Sequence, residues 1–489
     1  MSDQEIYSMN KKTALSTLAL SIALAGCGSD NDSNSSGTSA LDVTVPETYL
    51  FTSQFEDFTD ESSVSYSGQI ARQVLIEDLK ALISSTELTE ITDRQEALDK
   101  LNSLYSSENS DIDATAYTFD KTDITLTPSP AYGDISTGKD IKGKLAGEDN
   151  DLRHGDLKGW ATGLDADPSS DEFVQYLFGL LADNVVNPLN RLDPVGGEVL
   201  AAHVTENGVD LQQLIQKFLL MAVTYSQGTG DYLSDDLGEG KGIFSSTAQK
   251  VKNDVASAYS SLEHSWDEGY GYFGAARNYN DYTDLEIRAK DGRAEYNKGF
   301  HDTNGDGLID LNSEINFAAS VNAAKRDIGS AESAPTDFTK ATFDAFLTGR
   351  ALITQHPEGY EAALIEQRDI VVNNWEKTYA ATVVHYINDT LQDMANFDTD
   401  DYSFTGHAKH WSEMKGFALG LQFNPNALMA IEDFETVHTL FGDQPLLPTA
   451  SVDDIAQYKT DLLSARAIFQ QSYSFADANI GDENGENGW

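Results

Sequence analysis

"LQQLIQKFLLMA", Leu211 to Ala222, decides the fold class. Its apolar residues Leu211, Leu214, Ile215, Phe218, Leu219 and Ala222 recur at steps of three and four, the repeat that lines one face of an α-helix. Similar spacing runs through Val251, Val255, Tyr259 and Leu262, and through Val383, Ile387, Leu391 and Met394, predicting helices there. "DEFVQYLFGLLADNVV" (171–186) and "DDIAQYKTDLLSARAIFQQSY" (453–473) predict two more, each opened by capping acids. Strand-like alternation is scarce, and "YTFDKTDITLTP" (117–128) is its best example. The expected fold is all-α: a large helical-bundle domain with long loops over residues 47–473.

Composition narrows the function classes. With 489 residues, 40% of them hydrophobic, the chain can bury a large core. Its 80 acidic against 32 basic side chains give a formal charge of −48. That balance argues against nucleic acid as a partner, since phosphate binding needs clustered Lys and Arg. A solvated acidic surface accounts for the charge, and salt adaptation or attraction of cations is compatible with it. Cys27 is the single cysteine, so no internal disulfide can form.

The setting of Cys27 is informative. Lys11 and Lys12 precede an apolar run too short to span a bilayer, which suits a signal peptide over residues 1–26. Leu24, Ala25, Gly26 and Cys27 resemble a bacterial lipobox, which implies cleavage before Cys27, its diacylation, and a chain tethered to the membrane by that lipid. Gly28 after the cysteine implies outer-membrane sorting, facing the periplasm or the cell surface. Residues 27–46 read as the acylated cysteine and a flexible tether, and 474–489 as a flexible acidic tail.

Two patterns point to chemistry. "DTNGDGLIDLNSE" (302–314) spaces Asp302, Asn304, Asp306 and Asp310 as in a calcium loop, with Gly307 at the sharp turn and Leu308 offering its backbone carbonyl. The closing acid, Glu314, comes one residue late, so it would reach a calcium ion only in a rearranged loop; a solvated Asp/Gly turn is the alternative. The second pattern is a repeated order of residues. Trp266, Glu268, Gly271 and Tyr272 in "HSWDEGYGYF" (264–273) are echoed by Trp411, Glu413, Gly416 and Phe417 in "HWSEMKGF" (410–417). The echo predicts two related halves, about 47–276 and 313–473, joined by a segment 277–312 that holds the calcium-like loop.

His264 and Glu268 fall on one helical face, as do His410 and Glu413. Imidazole and carboxylate at that spacing suit a transition metal, or a haem-like ligand. If the halves pack together, the four converge on one inter-bundle site; the other reading makes them helix caps and bridges beside a core of aromatics. The sequence holds no zinc-protease His-Glu-x-x-His, serine triad, P-loop or dinucleotide fingerprint.

Four blocks then carry a resemblance: "SVSYSGQIARQVLIEDL" (63–79), "HSWDEGYGYFG" (264–274), "DGLIDLNSEINF" (306–317) with "NAAKRD" (322–327), and "HWSEMKGFALGLQFN" (410–424). In this order they resemble the signature blocks of a bacterial lipoprotein family called domain of unknown function four-eight-five-six. More distantly the chain is similar to imelysin-like lipoproteins. That similarity implies two related helical bundles, an envelope anchor and a tie to iron or other metal uptake. His410 and Glu413 match the end of the imelysin-like Gly-x-His-x-x-Glu hallmark, but Ala408 stands where its glycine would be.

The expected function is therefore a non-enzymatic envelope lipoprotein that binds a metal ion, metal chelate or haem as an uptake accessory, beside an outer-membrane receptor. Two others stay open. One is a metallopeptidase-like envelope enzyme using the same His and Glu groups; the other is a structural or protein-binding surface lipoprotein stabilised by calcium.

Overall fold

In the computed structural model the described residues are 41–121, 124–147, 156–166, 168–189, 191–235 and 237–489. The signal segment and Cys27 lie outside them. Helix α1 (Ser67–Ile83) is buried nearly all round, because Ile70, Val74, Leu75, Ile76, Leu79 and Ile83 cover more than one face. After it come α2 (Thr86–Thr89), α3 (Arg94–Tyr105), α4 (Tyr132–Ile135), α5 (Ser170–Val186) and α6 (Leu211–Leu219). The second part of the chain adds α7 (Ser261–Phe273), α8 (Asp284–Ile287), α9 (Ala318–Gly329) and α10 (Phe338–Gln355). It ends with α11 (Tyr360–Ala395), α12 (Phe404–Gly420), α13 (Ile431–Phe441) and α14 (Val452–Tyr473). The fold is all-α, as the periodicity predicts.

The 36-residue α11 is the spine. Helices α9, α10, α12 and α14 pack along it; α6 packs on α1 and α12, and α7 on α1 and α10. Serines open the two helices expected at 171–186 and 453–473. Ser169 accepts from Glu172 N and Ser451 from Asp454 N, while the acids occupy the first turn, where the helix dipole favours them. Beyond α6 the chain continues in π-helical turns, Leu220–Tyr225 and Gly228–Tyr232.

Three expectations are corrected. Val251, Val255 and Tyr259 belong to a β-hairpin, β2 (Gln249–Lys252) and β3 (Val255–Ser260), not to a helix. A spacing of four fits the two-residue repeat of a strand as well as a helical turn. Asn253 and Asp254 both have positive φ (52° and 62°), which makes the tight turn. Second, the tether is docked at its inner end and the tail at its last residue. Thr44 exchanges two hydrogen bonds with the Gln355 side chain (2.9 and 2.7 Å), and Trp489 is buried with its indole N–H on the Arg326 carbonyl. Third, the two expected halves share one core, a single cluster running from Tyr49 to Trp489. The strand-like stretch keeps one short strand, β1 (Thr125–Thr127), paired in parallel with β4 (Leu308–Asp310) of the calcium-like loop. Among the described residues, no helix is long and apolar enough to cross a membrane.

Candidate functional site

Helix α7 carries the first His/Glu pair. Ser260 and Glu263 form a reciprocal cap at its start. One turn on, His264 Nε2 lies 3.5 Å from Glu268 Oε2, so the shared face predicted for this pair is present. The ring stacks on Tyr259, and Nδ1 lies 3.1 Å from the Ser65 carbonyl, which only an Nδ1–H can serve as donor. Burial, with Lys250 beside it, pushes the His264 pKa down to about 3, so the ring is neutral in neutral solution. Burial also raises the Glu268 carboxyl, against the pull of the Gln69 amide that donates to Oε1.

The acid that anchors this string is its neighbour, Asp267, which the helical pattern alone did not single out. Asp267 accepts from Arg350 Nε (2.9 Å), the Tyr49 hydroxyl (2.8 Å) and Ser65 N (3.1 Å). Arg350 also pairs with Glu263 at 2.8 Å, and none of these three charged side chains is exposed. The signal lay elsewhere in the sequence: Arg350 is the one cation in the apolar run "FLTGRALI" (346–353), and an arginine in such a run has to find an acid. The cluster ties the N-terminal segment to α7 and α10 and is structural.

The Asp-rich loop is held by its own hydrogen bonds. Asp302 accepts from Gly305 N and Gly307 N, Asn304 from Asp306 N, and Asp306 from Leu308 N. Asp310 accepts from Asn312 N and the Ser313 hydroxyl. Glu314 is buried, with Oε1 taking Thr303 N and Oε2 taking Asp310 N, so the late acid closes the loop without a cation. Among the described residues, no group of three or more His, Cys, Asp or Glu is arranged to hold a metal ion.

Helix α12 carries the second pair, and its two members face different ways. His410 turns to α11, with Nδ1 2.8 Å from Asp393 Oδ2 and Nε2 3.9 Å from Asp389 Oδ2. Burial lowers its pKa, but Asp393 and Asp389 more than reverse this and hold it above the usual histidine value. Glu413 turns to α6, with Oε1 3.2 Å from Lys217 Nζ and Oε2 buried without a hydrogen bond. Burial raises its carboxyl, but Lys217 and Lys409 outweigh that and hold it below the usual range. The convergence expected of His264, Glu268, His410 and Glu413 is therefore not found: the α7 pair is served by Ser65, Gln69 and Lys250, and the α12 pair by Asp393, Asp389 and Lys217.

Glu413 does open onto a cavity. A recess of about 240 Å³ lies among α1, α6, α9, α11 and α12, and its charged lining is Lys80, Lys121, Lys217, Lys325, Glu77 and Glu413. Phe119, Phe417 and Tyr386 add aromatic walls. Four lysines in one small recess are conspicuous in a chain with 80 acids and 32 bases. Lys217 is buried; it reaches Gln213 and Gln216 as well as Glu413, and lies 5.7 Å from the Phe417 ring centre. Burial lowers its pKa, and that of Lys121. Lys325 is pushed down to about 8 by loss of hydration in the recess and by the charges of Lys217 and Arg326. Lys80, Lys121 and Lys325 have no ion-pair partner among the described residues. Nothing local in the sequence flags this site, because its lysines come from four separate segments.

The structure is thus an all-α protein with a cationic recess in an acidic body. Residues 194–433 match the family model described as Domain of unknown function (DUF4856), the family that the sequence blocks resemble. No curated protein and no solved structure matches the chain.

Proposed function

We propose that this is a non-enzymatic, envelope-tethered lipoprotein that binds an anionic metal chelate in the recess at Glu413, as an accessory to uptake. The observation that carries the reading is the gathering of Lys80, Lys121, Lys217 and Lys325 on one cavity, with two acids against four amines. Such a lining repels a bare metal cation and attracts a chelate whose net charge is negative. The volume favours a small ligand: drug-sized sites start near roughly 300 Å³, so a haem does not fit the recess of about 240 Å³. The lipobox-like run ending at Cys27 supports the anchor, and the similarity to imelysin-like lipoproteins supports a metal-related cargo.

Isothermal titration of the full chain with a ferric tricarboxylate chelate, a bare divalent metal salt and haem tests this. One-to-one binding of the chelate alone is expected. Elemental analysis finding calcium only, with no chelate uptake, would refute the reading. Metal-dependent cleavage of casein would replace it with the metallopeptidase reading, and no ligand of any kind would leave a structural role.

A further inference from the structure

The excess of amines over acids in the recess bears on which part of a ligand the protein holds. Lys80 on α1, Lys217 on α6 and Lys325 on α9 are close enough that each lowers the proton affinity of another: Lys80 acts on Lys217, and both act on Lys325. Mutual repulsion of this kind costs free energy in the empty recess and is relieved when an anion enters. Glu413 neutralises part of it, paired directly with Lys217 and acting at longer range on Lys325. Glu77 is held by the Gln216 amide at 2.8 Å.

A second, independent observation lies in the same wall. The Asn322 carboxamide lines the recess at 9% exposure and has no hydrogen-bond partner among the described residues. Its amide is open to the recess and not sealed in the core, so it presents a donor and an acceptor to a ligand there. Phe119, Phe417 and Leu220 keep the floor apolar, which strengthens each charge contact made inside.

Resting on the reading of the recess as the ligand site, we infer that it recognises the oxyanions of the ligand itself: a compact polycarboxylate or polyphosphate with at least two negative charges, held by Lys80, Lys217, Lys325 and the Asn322 amide. A metal carried by that ligand makes no contact the protein requires. Two charges match the excess of four amines over Glu77 and Glu413. Binding is also linked to protons at alkaline pH. The charged groups facing Lys325 are Lys217, Lys80 and Glu413 across the recess and Arg326 on its own helix. An anion added among them favours the protonated amine, so binding takes up protons near pH 8 and weakens as pH rises further.

The test is calorimetric titration of the full chain with metal-free citrate, inorganic pyrophosphate and acetate, each in two buffers of different ionisation enthalpy. Citrate or pyrophosphate is expected to bind one-to-one, at least about tenfold tighter than acetate, since each added charge-assisted contact is worth about one decade. Whichever of the two binds tighter identifies the oxyanion class. Lys325→Met is the informative variant, because Lys325 is an exposed residue of the lining and its loss should leave the fold intact. It should weaken the multivalent anion about tenfold and abolish proton uptake at pH 8.5, with an unchanged melting temperature. Equal binding of acetate and citrate, or unaltered binding by Lys325→Met, overturns the inference. If the ferric chelate binds while metal-free anions do not, the inference falls and the chelate-binding reading stands; if neither binds, both fall.

Discussion

Helices α7 and α12 carry the same order of Trp, Glu, Gly and aromatic residue, and in packing they use it alike. Trp266 and Trp411 are both fully buried, and each gives its indole N–H away, to the Phe346 carbonyl (3.0 Å) and the Tyr458 hydroxyl (2.9 Å). Gly271 and Gly416 both let another segment come close. A Cβ at either would lie 2.7 Å from a neighbouring Cβ, that of Tyr66 at the start of α1 or of Lys217 on α6. The glutamates part company. Glu268 faces an amide and a neutral imidazole; Glu413 faces a buried ammonium and an open recess. A shared motif here means a shared packing unit, and the residue across from the carboxylate decides whether the position has chemistry.

The comparison is broken most severely by removing the anchor of α7. Arg350→Met strands Asp267 and Glu263 without a countercharge and should cost about 3–5 kcal/mol in urea unfolding. Lys217→Met, at the matching position beside α12, should cost less, about 1–3 kcal/mol, because Glu413 keeps access to the recess. Equal losses would erase the distinction between a structural and a ligand-facing carboxylate.

Gly271→Ala and Gly416→Ala should each cost about 1–3 kcal/mol by overpacking. Only Gly416→Ala displaces Lys217, so it alone should weaken anion binding; a matching loss in Gly271→Ala would mean that stability, not the recess, sets affinity.

Acid titration separates the two histidines. The folded-state pKa of His264, lowered to about 3, means the unfolded chain binds the extra proton below its ordinary value, so stability falls on acidification. From pH 7 to 5 the loss should reach about 2 kcal/mol, and His264→Gln should remove it. His410 is raised, so its contribution is fully present below the ordinary histidine pKa and is lost as pH climbs through the folded value. His410→Gln should therefore make the acid loss steeper, as read by urea midpoints at pH 5, 6 and 7.

The smallest effect belongs to the Asp-rich loop, which is tied to the α7 side by Arg277 N on the Ser313 carbonyl and Phe317 N on the Gly274 carbonyl. Its acids already serve the loop's own N–H groups, so saturating calcium should leave the melting temperature within about 1 °C. A rise of several degrees, abolished by Asp302→Asn with Asp306→Asn, would identify a calcium loop rearranged around Glu314.

Much of the scaffold was legible because it is local. The steps from Leu211 to Phe218 and the run 171–186 need no partner to be read as helices, and His264 with Glu268 falls on one face by spacing alone. The hairpin at 249–260 escapes periodicity because valines four apart satisfy both repeats, and the decisive residues are Asn253 and Asp254 in the turn. The recess and the Arg350 cluster were out of reach for another reason. Both join residues far apart in the chain, Lys80 with Lys325 and Ser63 with Arg350, so their chemistry exists only after the helices have packed.

Glu376 of α11 shows what such long-range pairing asks of assembly. Its fully buried carboxylate is met by the hydroxyls of Tyr225 and Tyr473, the Asn424 amide and the backbone N–H of Leu428. Three donors are present once residue 428 has been made, but the fourth arrives only with the last turn of α14. A chain cut short before Tyr473 thus carries a buried acid with one partner missing, and that vacancy alone should cost about 1–3 kcal/mol. Growth of the chain and completion of its core are therefore coupled: the middle of the molecule cannot reach its final stability until nearly the whole polypeptide is available to it.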